Sequence, residues 1–239
     1  MLPTIDVPTF SVELPISKKN IQFRPYLVKE QKILTMAKES GEKNSVINAI
    51  LQIINNCIIT DINIQEELPI TDVEYLFYQL RARSESELVN LKYRCENKIE
   101  DTICGNTMDH TLNLLTDLEI LDNGVSPIIE ITENVGIKLK HQRFELDGLE
   151  DTLPTPKELF EIIANNVDFI YDENSSYNAK DIPQQKIVEW IGNLPTEKYE
   201  KIEQFFLNEP KIIKKLNITC NKCGMNHNIL VEDIFDFFT

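Results

Sequence analysis

Seven glycines, three histidines and one tryptophan in 239 residues leave this sequence short of parts that many enzymes need. It has no glycine-rich loop to cradle a phosphate and no Gly-x-Ser-x-Gly elbow to present a nucleophile. Hydrolase and nucleotide-binding chemistry therefore lack their minimum equipment. Cations are scarce as well: 24 Lys and Arg against 39 Asp and Glu give a net charge of −15, which repels phosphate backbones and argues against nucleic acid as a partner. No apolar run approaches the roughly 20 residues that cross a bilayer. The opening MLPTIDVPTF has neither the basic nor the apolar region of a signal peptide, so the sequence predicts a protein that meets no membrane and stays in the cytosol where it is made. With so little glycine, the chain is not a loop-dominated or low-complexity protein, and its length allows one large domain or two smaller ones.

Five cysteines, an odd number without an export signal, read as thiols or metal ligands rather than a disulfide framework. The chain closes on KLNITCNKCGMNHNILVEDIFDFF, in which two strand-like runs flank a Cys-x-x-Cys-Gly turn at Cys220 and Cys223. Gly224 permits the sharp turn, and such a knuckle supplies two thiolates, half of a tetrahedral zinc site. The other half could come from Cys95 and Cys104, whose eight intervening residues are wide for a knuckle, or from His110 and His227, each just beyond a Cys-Gly. Without metal, these turns are plain hairpin tips. The candidate metal set is thus Cys95, Cys104, Cys220 and Cys223, with Zn2+ as the ion. A thioredoxin-like redox role fits poorly, because that site lies at a helix start in a βαβ setting and this one lies between strands. Cys57 falls on an apolar helix face and reads as a core residue.

The pattern along the chain predicts an α+β protein of helices with small antiparallel β-hairpins, two of them cysteine-bearing and zinc-ribbon-like. Alternation in SVEL and NIQFR predicts a hairpin over Val12 to Arg24, and a helix is expected over Leu27 to Lys38. Ser45 is the expected cap of a second helix with Val46, Ile50, Ile53, Ile54 and Cys57 on one face. Thr71 to Glu74 reads as a capping box opening a third, expected to run to about Arg83. A further hairpin is expected from Ile128. Leu159, Phe160, Ile162, Ile163 and Val167 predict the inner face of a helix after Pro156, and a polar loop DENSSYNAKD precedes two more helices. His141 reads as a strand surface residue. The acidic, Pro- and Gly-bearing stretch Glu145 to Pro156 suggests a linker, hence units of 1–150 and 151–239. IINNCIITD and IANNVDFIYD, each followed by a cysteine hairpin, suggest an internal duplication. The terminal aromatics Phe235, Phe237 and Phe238 read as core, with a docking segment as the other reading.

The blocks NIQFRPYLVKEQKILTMAKES and ITDVEYLFYQLRARSESELVNLKYRC, with LFEIIANNVDFIYD and the terminal cysteine hairpin, resemble the baseplate hub assembly proteins of T-even-type tailed phages. That resemblance implies a structural or chaperone-like protein working in the infected host cytoplasm, or in the virion tail baseplate, through contacts with other hub or tail proteins. It implies no catalytic residues. The long spacer between Cys95 and Cys104 departs from a tight knuckle. A zinc-ribbon adaptor outside a phage tail is the other reading of the same cysteines.

Overall fold

A computed structural model describes Pro3 and residues 5–143 and 156–232. All of the expected linker but Pro156, and the terminal aromatics, fall outside these residues. Described residues up to Leu121, with those from Lys211 onward, form one compact unit, and Asp122–Pro210 form a second. This grouping follows proximity and is discontinuous in sequence, whereas the expectation of 1–150 and 151–239 was a linear division.

The first unit begins with β1 (Phe10–Glu13) and β2 (Asn20–Phe23), paired antiparallel with Phe10 opposite Phe23. Ile21 and Phe23 are buried while Asn20 and Gln22 face water, as a period-two strand with one inner face requires. Next come α1 (Val28–Ser40) and α2 (Lys43–Cys57), separated by Gly41 in the left-handed region that glycine occupies without penalty. On α2, the expected Val46, Ile50, Ile53, Ile54 and Cys57 are all buried. Its start lies two residues ahead of Ser45: Glu42 holds the cap position and the Ser45 hydroxyl donates to the Glu42 carboxylate at 3.1 Å. After the single turn α3 (Ile64–Glu67), α4 spans Ile70–Ser84 with Pro69, not Thr71, at its cap.

Two buried carboxylates tie these pieces together. Asp72, in the first turn of α4, accepts from the Ile16 and Ser17 amides at 2.8 Å each and so fixes the β1–β2 turn. Glu30, in the first turn of α1, accepts from the Leu27 amide at 2.8 Å and from Arg24 at 3.1 Å. The other donors of Arg24 reach the carbonyls of Pro25 and Asn56, both at 2.9 Å, so one guanidinium joins β2, α1 and the end of α2. Burial alone would raise the Glu30 carboxyl, but hydrogen bonds from Arg24 and the Leu27 amide, with the charges of Arg24 and Lys29, hold it below the usual range.

Seven-residue strands β3 (Leu88–Arg94) and, after a short insert, β6 (Thr107–Asn113) pair along their whole length. The insert itself contains β4 (Lys98–Ile99) and β5 (Thr102–Ile103). Then β7 (Glu119–Leu121) leads out of the unit.

The second unit holds a four-stranded sheet made of β8 (Ile128–Glu130), β9 (Gly136–Leu139), β10 (Val167–Tyr171) and β11 (Ser176–Asn178), in the order β11-β10-β9-β8. Three helices accompany it: α5 (Pro156–Asn165), α6 (Gln184–Gly192) and α7 (Thr196–Leu207). Ile137, Leu139, Ile163, Ile187, Ile202 and Phe205 form its core. Val167 opens β10 instead of closing α5, and the polar loop contains β11, which pairs through its backbone and needs no apolar signal. His141 follows β9, with its ring stacked on Phe205.

Gly136 pairs with Tyr171, whose ring lies where a Cβ at 136 would stand. Gly136→Ala should push that ring aside and destabilise this unit by about 1 kcal/mol, the low end for overpacking because the phenol end can swing away. Urea unfolding followed through Trp190 measures this, and an unchanged midpoint would show that the ring adapts freely.

The chain then re-enters the first unit. β12 (Lys211–Thr219) pairs with β7 at one end, Lys211 opposite Leu121, and with β13 (Asn226–Val231) along the rest.

Candidate metal centre

Four of the five cysteines meet at the tips of the β3–β6 and β12–β13 hairpins. The sulfurs of Cys95, Cys104, Cys220 and Cys223 all lie within 4.8 Å of one another. Cys95 is 3.6 Å from Cys223 and Cys104 is 3.9 Å from Cys220, with all four as free thiols. Metal–sulfur bonds of about 2.3 Å in a tetrahedron place sulfurs roughly 3.8 Å apart. Both cross-hairpin distances fall close to that figure, so the four groups could hold one tetrahedral ion.

The two knuckles have the same backbone wiring. In the second, the Cys220 amide donates to the Met225 carbonyl at 2.8 Å and the Gly224 amide returns to the Cys220 carbonyl at 2.8 Å. In the first, the Cys95 amide donates to the Asn106 carbonyl at 2.8 Å and the Gly105 amide returns to Cys95 at 3.0 Å. Gly105 and Gly224 both sit at positive φ, +64° and +73°. A wide spacer does not open the first knuckle, because β4 and β5 fold it into a side hairpin and the Cys104 amide donates to the Asn97 carbonyl at 2.8 Å.

Around the sulfurs stand the donors that metal thiolates need. Asn97 donates to Cys223 at 3.6 Å and Asn106 to Cys220 at 3.5 Å, while Lys222 Nζ reaches the Cys104 carbonyl at 2.9 Å. Burial disfavours the Cys220 thiolate, yet the Cys223 and Lys222 amides more than offset it and bring the thiol down to about 6. The Met225 amide likewise lowers Cys223. Burial pushes Cys95 up to about 12.

His227, on β13 opposite Ile218, brings Nε2 to 3.1 Å from the Cys95 sulfur, so it flanks the four-sulfur set. His110, on β6 opposite Leu91, is not part of that set. Sequence reasoning missed Asn97 and Asn106. Their signal was available, since each stands two residues after a cysteine of the first pair.

Elsewhere, a groove of about 380 Å³ in the second unit is lined by Ile170, Tyr171, Tyr177, Ile187 and Trp190, with Asp172 and Lys186 also on its lining. Asp172 is already engaged by the amides of Asn174 and Ser175 and by the Tyr177 hydroxyl at 2.8 Å, which hold it below its ordinary value. Most of the groove's lining is apolar.

Compared with known protein families, residues 7–239 match the one described as T4 bacteriophage base plate protein. No curated protein and no solved structure matches the chain.

Proposed function

This chain belongs to the T4 bacteriophage base plate protein family, and we propose that within it the protein acts in assembly of the base plate hub, as a structural or chaperone-like component. It works through contacts with other hub or tail proteins, in the host cytoplasm during assembly or in the finished tail. Its four clustered cysteines hold a structural Zn2+, with Cys95, Cys104, Cys220 and Cys223 as ligands and His227, Asn97 and Asn106 around them. The observation that carries the zinc assignment is the pair of equivalent knuckles facing each other at sulfur separations close to those of a four-thiolate tetrahedron. A closed four-sulfur set leaves no position for substrate, so the ion's role is to hold two hairpins together.

Two measurements test this reading. Tagged protein recovered from infected cells should bring hub or tail proteins with it, and recovery of the chain alone while hubs are forming would sink the assembly role. Metal analysis of the purified protein should find about one equivalent of zinc per chain, with the four thiols shielded until a chelator is added. Less than half an equivalent would count against the zinc centre.

A further inference from the structure

The eight residues between Cys95 and Cys104 supply no ligand and no core side chain, yet they fold. Lys98 pairs with Ile103 and Ile99 with Thr102, and the Thr102 hydroxyl closes the turn on the Ile99 carbonyl at 3.2 Å. Ile99 is 44% exposed and Ile103 58%, and Glu96, Lys98, Glu100, Asp101 and Thr102 are exposed with them. Glu100 sits at φ +54°, in the left-handed region that side chains other than asparagine, aspartate and glycine seldom enter. A knuckle does not require a spacer of this length, and of these eight residues Asn97 serves the sulfurs, its carbonyl accepting from the Cys104 amide and its side chain donating to Cys223. Cys220 and Cys223 make the same turn with two residues between them. A two-stranded ribbon this short is also marginal by itself, so its form is set by the knuckle at its root.

We propose that this finger, Glu96 to Ile103, is a docking anchor that enters an apolar cleft rimmed by lysine or arginine on another base plate protein, with Ile99 on one face of the ribbon and Ile103 on the other meeting its two walls. The proposal rests on the base plate reading above and names the surface that serves it. A basic rim follows from charge: Glu96, Glu100 and Asp101 outnumber Lys98 on the finger, and the chain carries −15 overall. An acidic cleft would repel it, and so would a second copy of this chain. Scale indicates the kind of contact. A standard interface takes about 800 Å² and 20 to 30 residues from each partner, which a finger of this size cannot supply alone. The finger is thus one anchor within a larger contact.

The test places a photo-crosslinking benzoylphenylalanine at position 103, or at exposed Met36 on α1 as a control, in tagged full-length chain expressed during infection. Illumination should yield an adduct with a base plate protein at least tenfold stronger from position 103 than from 36, joined at a peptide bearing Lys or Arg beside apolar residues. Glu100→Lys with Asp101→Lys in the same chain should weaken that adduct tenfold while zinc content stays unchanged. Base plate adducts from position 36 but none from 103 would overturn the finger and leave the base plate reading standing. An adduct with a second copy of the chain, or one insensitive to the charge reversal, would also overturn it. If no base plate protein is recovered by either route, the reading beneath it falls as well.

Discussion

Cys220→Ser should yield a protein without metal whose first unit loses its folded knuckles, the largest effect expected from any single substitution here. Structural zinc contributes about 10 to 16 kcal/mol of apparent binding energy in zinc-finger peptides, against a total stability of about 5 to 15 kcal/mol for an ordinary domain. Even a fraction of that sum decides whether the two hairpin tips stay together. Cys95, Cys104 and Cys220 are buried with Met108 around them, so without an ion the remaining thiols have no metal to bridge the two hairpins and a serine hydroxyl stands in an apolar cluster. The core of the second unit contains none of these residues and should survive. Limited proteolysis separates the outcomes: nicking confined to the cysteine hairpins, reproduced in the wild type by a chelator, is the expected pattern. A Cys220→Ser chain that resists protease and melts like the parent would mean that the cysteines support nothing.

Arg24→Ala should be the next most damaging change. It removes the guanidinium bonded to Glu30 while leaving that carboxylate fully buried with only the exposed Lys29 ammonium at 3.4 Å, and removing one member of a buried pair costs about 3 to 5 kcal/mol. Two backbone carbonyls lose their donor at the same time. For a chain of this size the melting temperature should fall by roughly 6 to 20 °C, with Arg24→Lys intermediate because an ammonium keeps the charge but not the fork. The pH dependence has a definite sign. Glu30 is held below its ordinary value when folded, so its contribution is complete above about pH 4.3, the value of a free glutamate, and is lost as the pH falls further towards the folded-state value. The difference in stability between parent and Arg24→Ala, measured by calorimetry, should therefore shrink on acidification below that point. A difference that stays constant from neutrality to pH 3 would remove the ion pair from the explanation.

What could be read from the sequence and what could not divide along physical lines. The buried face of α2 was legible because five apolar residues at helical spacing leave little alternative. VDFIY was not: a short apolar run fits a helix end or a strand equally well, and only its pairing with β9 and β11 decides. Helix starts at Ser45 and Thr71 were misplaced because a capping residue announces itself equally well one turn inside the helix. Asp72 serves a turn 55 residues away, a contact no local pattern can announce. At the cysteine cluster the four residues were legible as candidates, but the eight-residue spacer disguised the first knuckle until its backbone was seen to match the second.

The return of the chain from β7 to β12 has a consequence for the order in which the molecule is made. Cys104 and Cys220 are 116 positions apart, so at a bacterial synthesis rate of about 5 to 20 residues per second the second knuckle leaves the ribosome roughly 6 to 23 s after the first. Throughout that interval the first pair of thiols has no partner. The residues made meanwhile, Asp122–Pro210, are contiguous and carry their own core, so they can finish folding before the earlier-made unit does. The earlier-made unit, begun first on the ribosome, is completed last, when β12 and β13 arrive and a metal ion can close it.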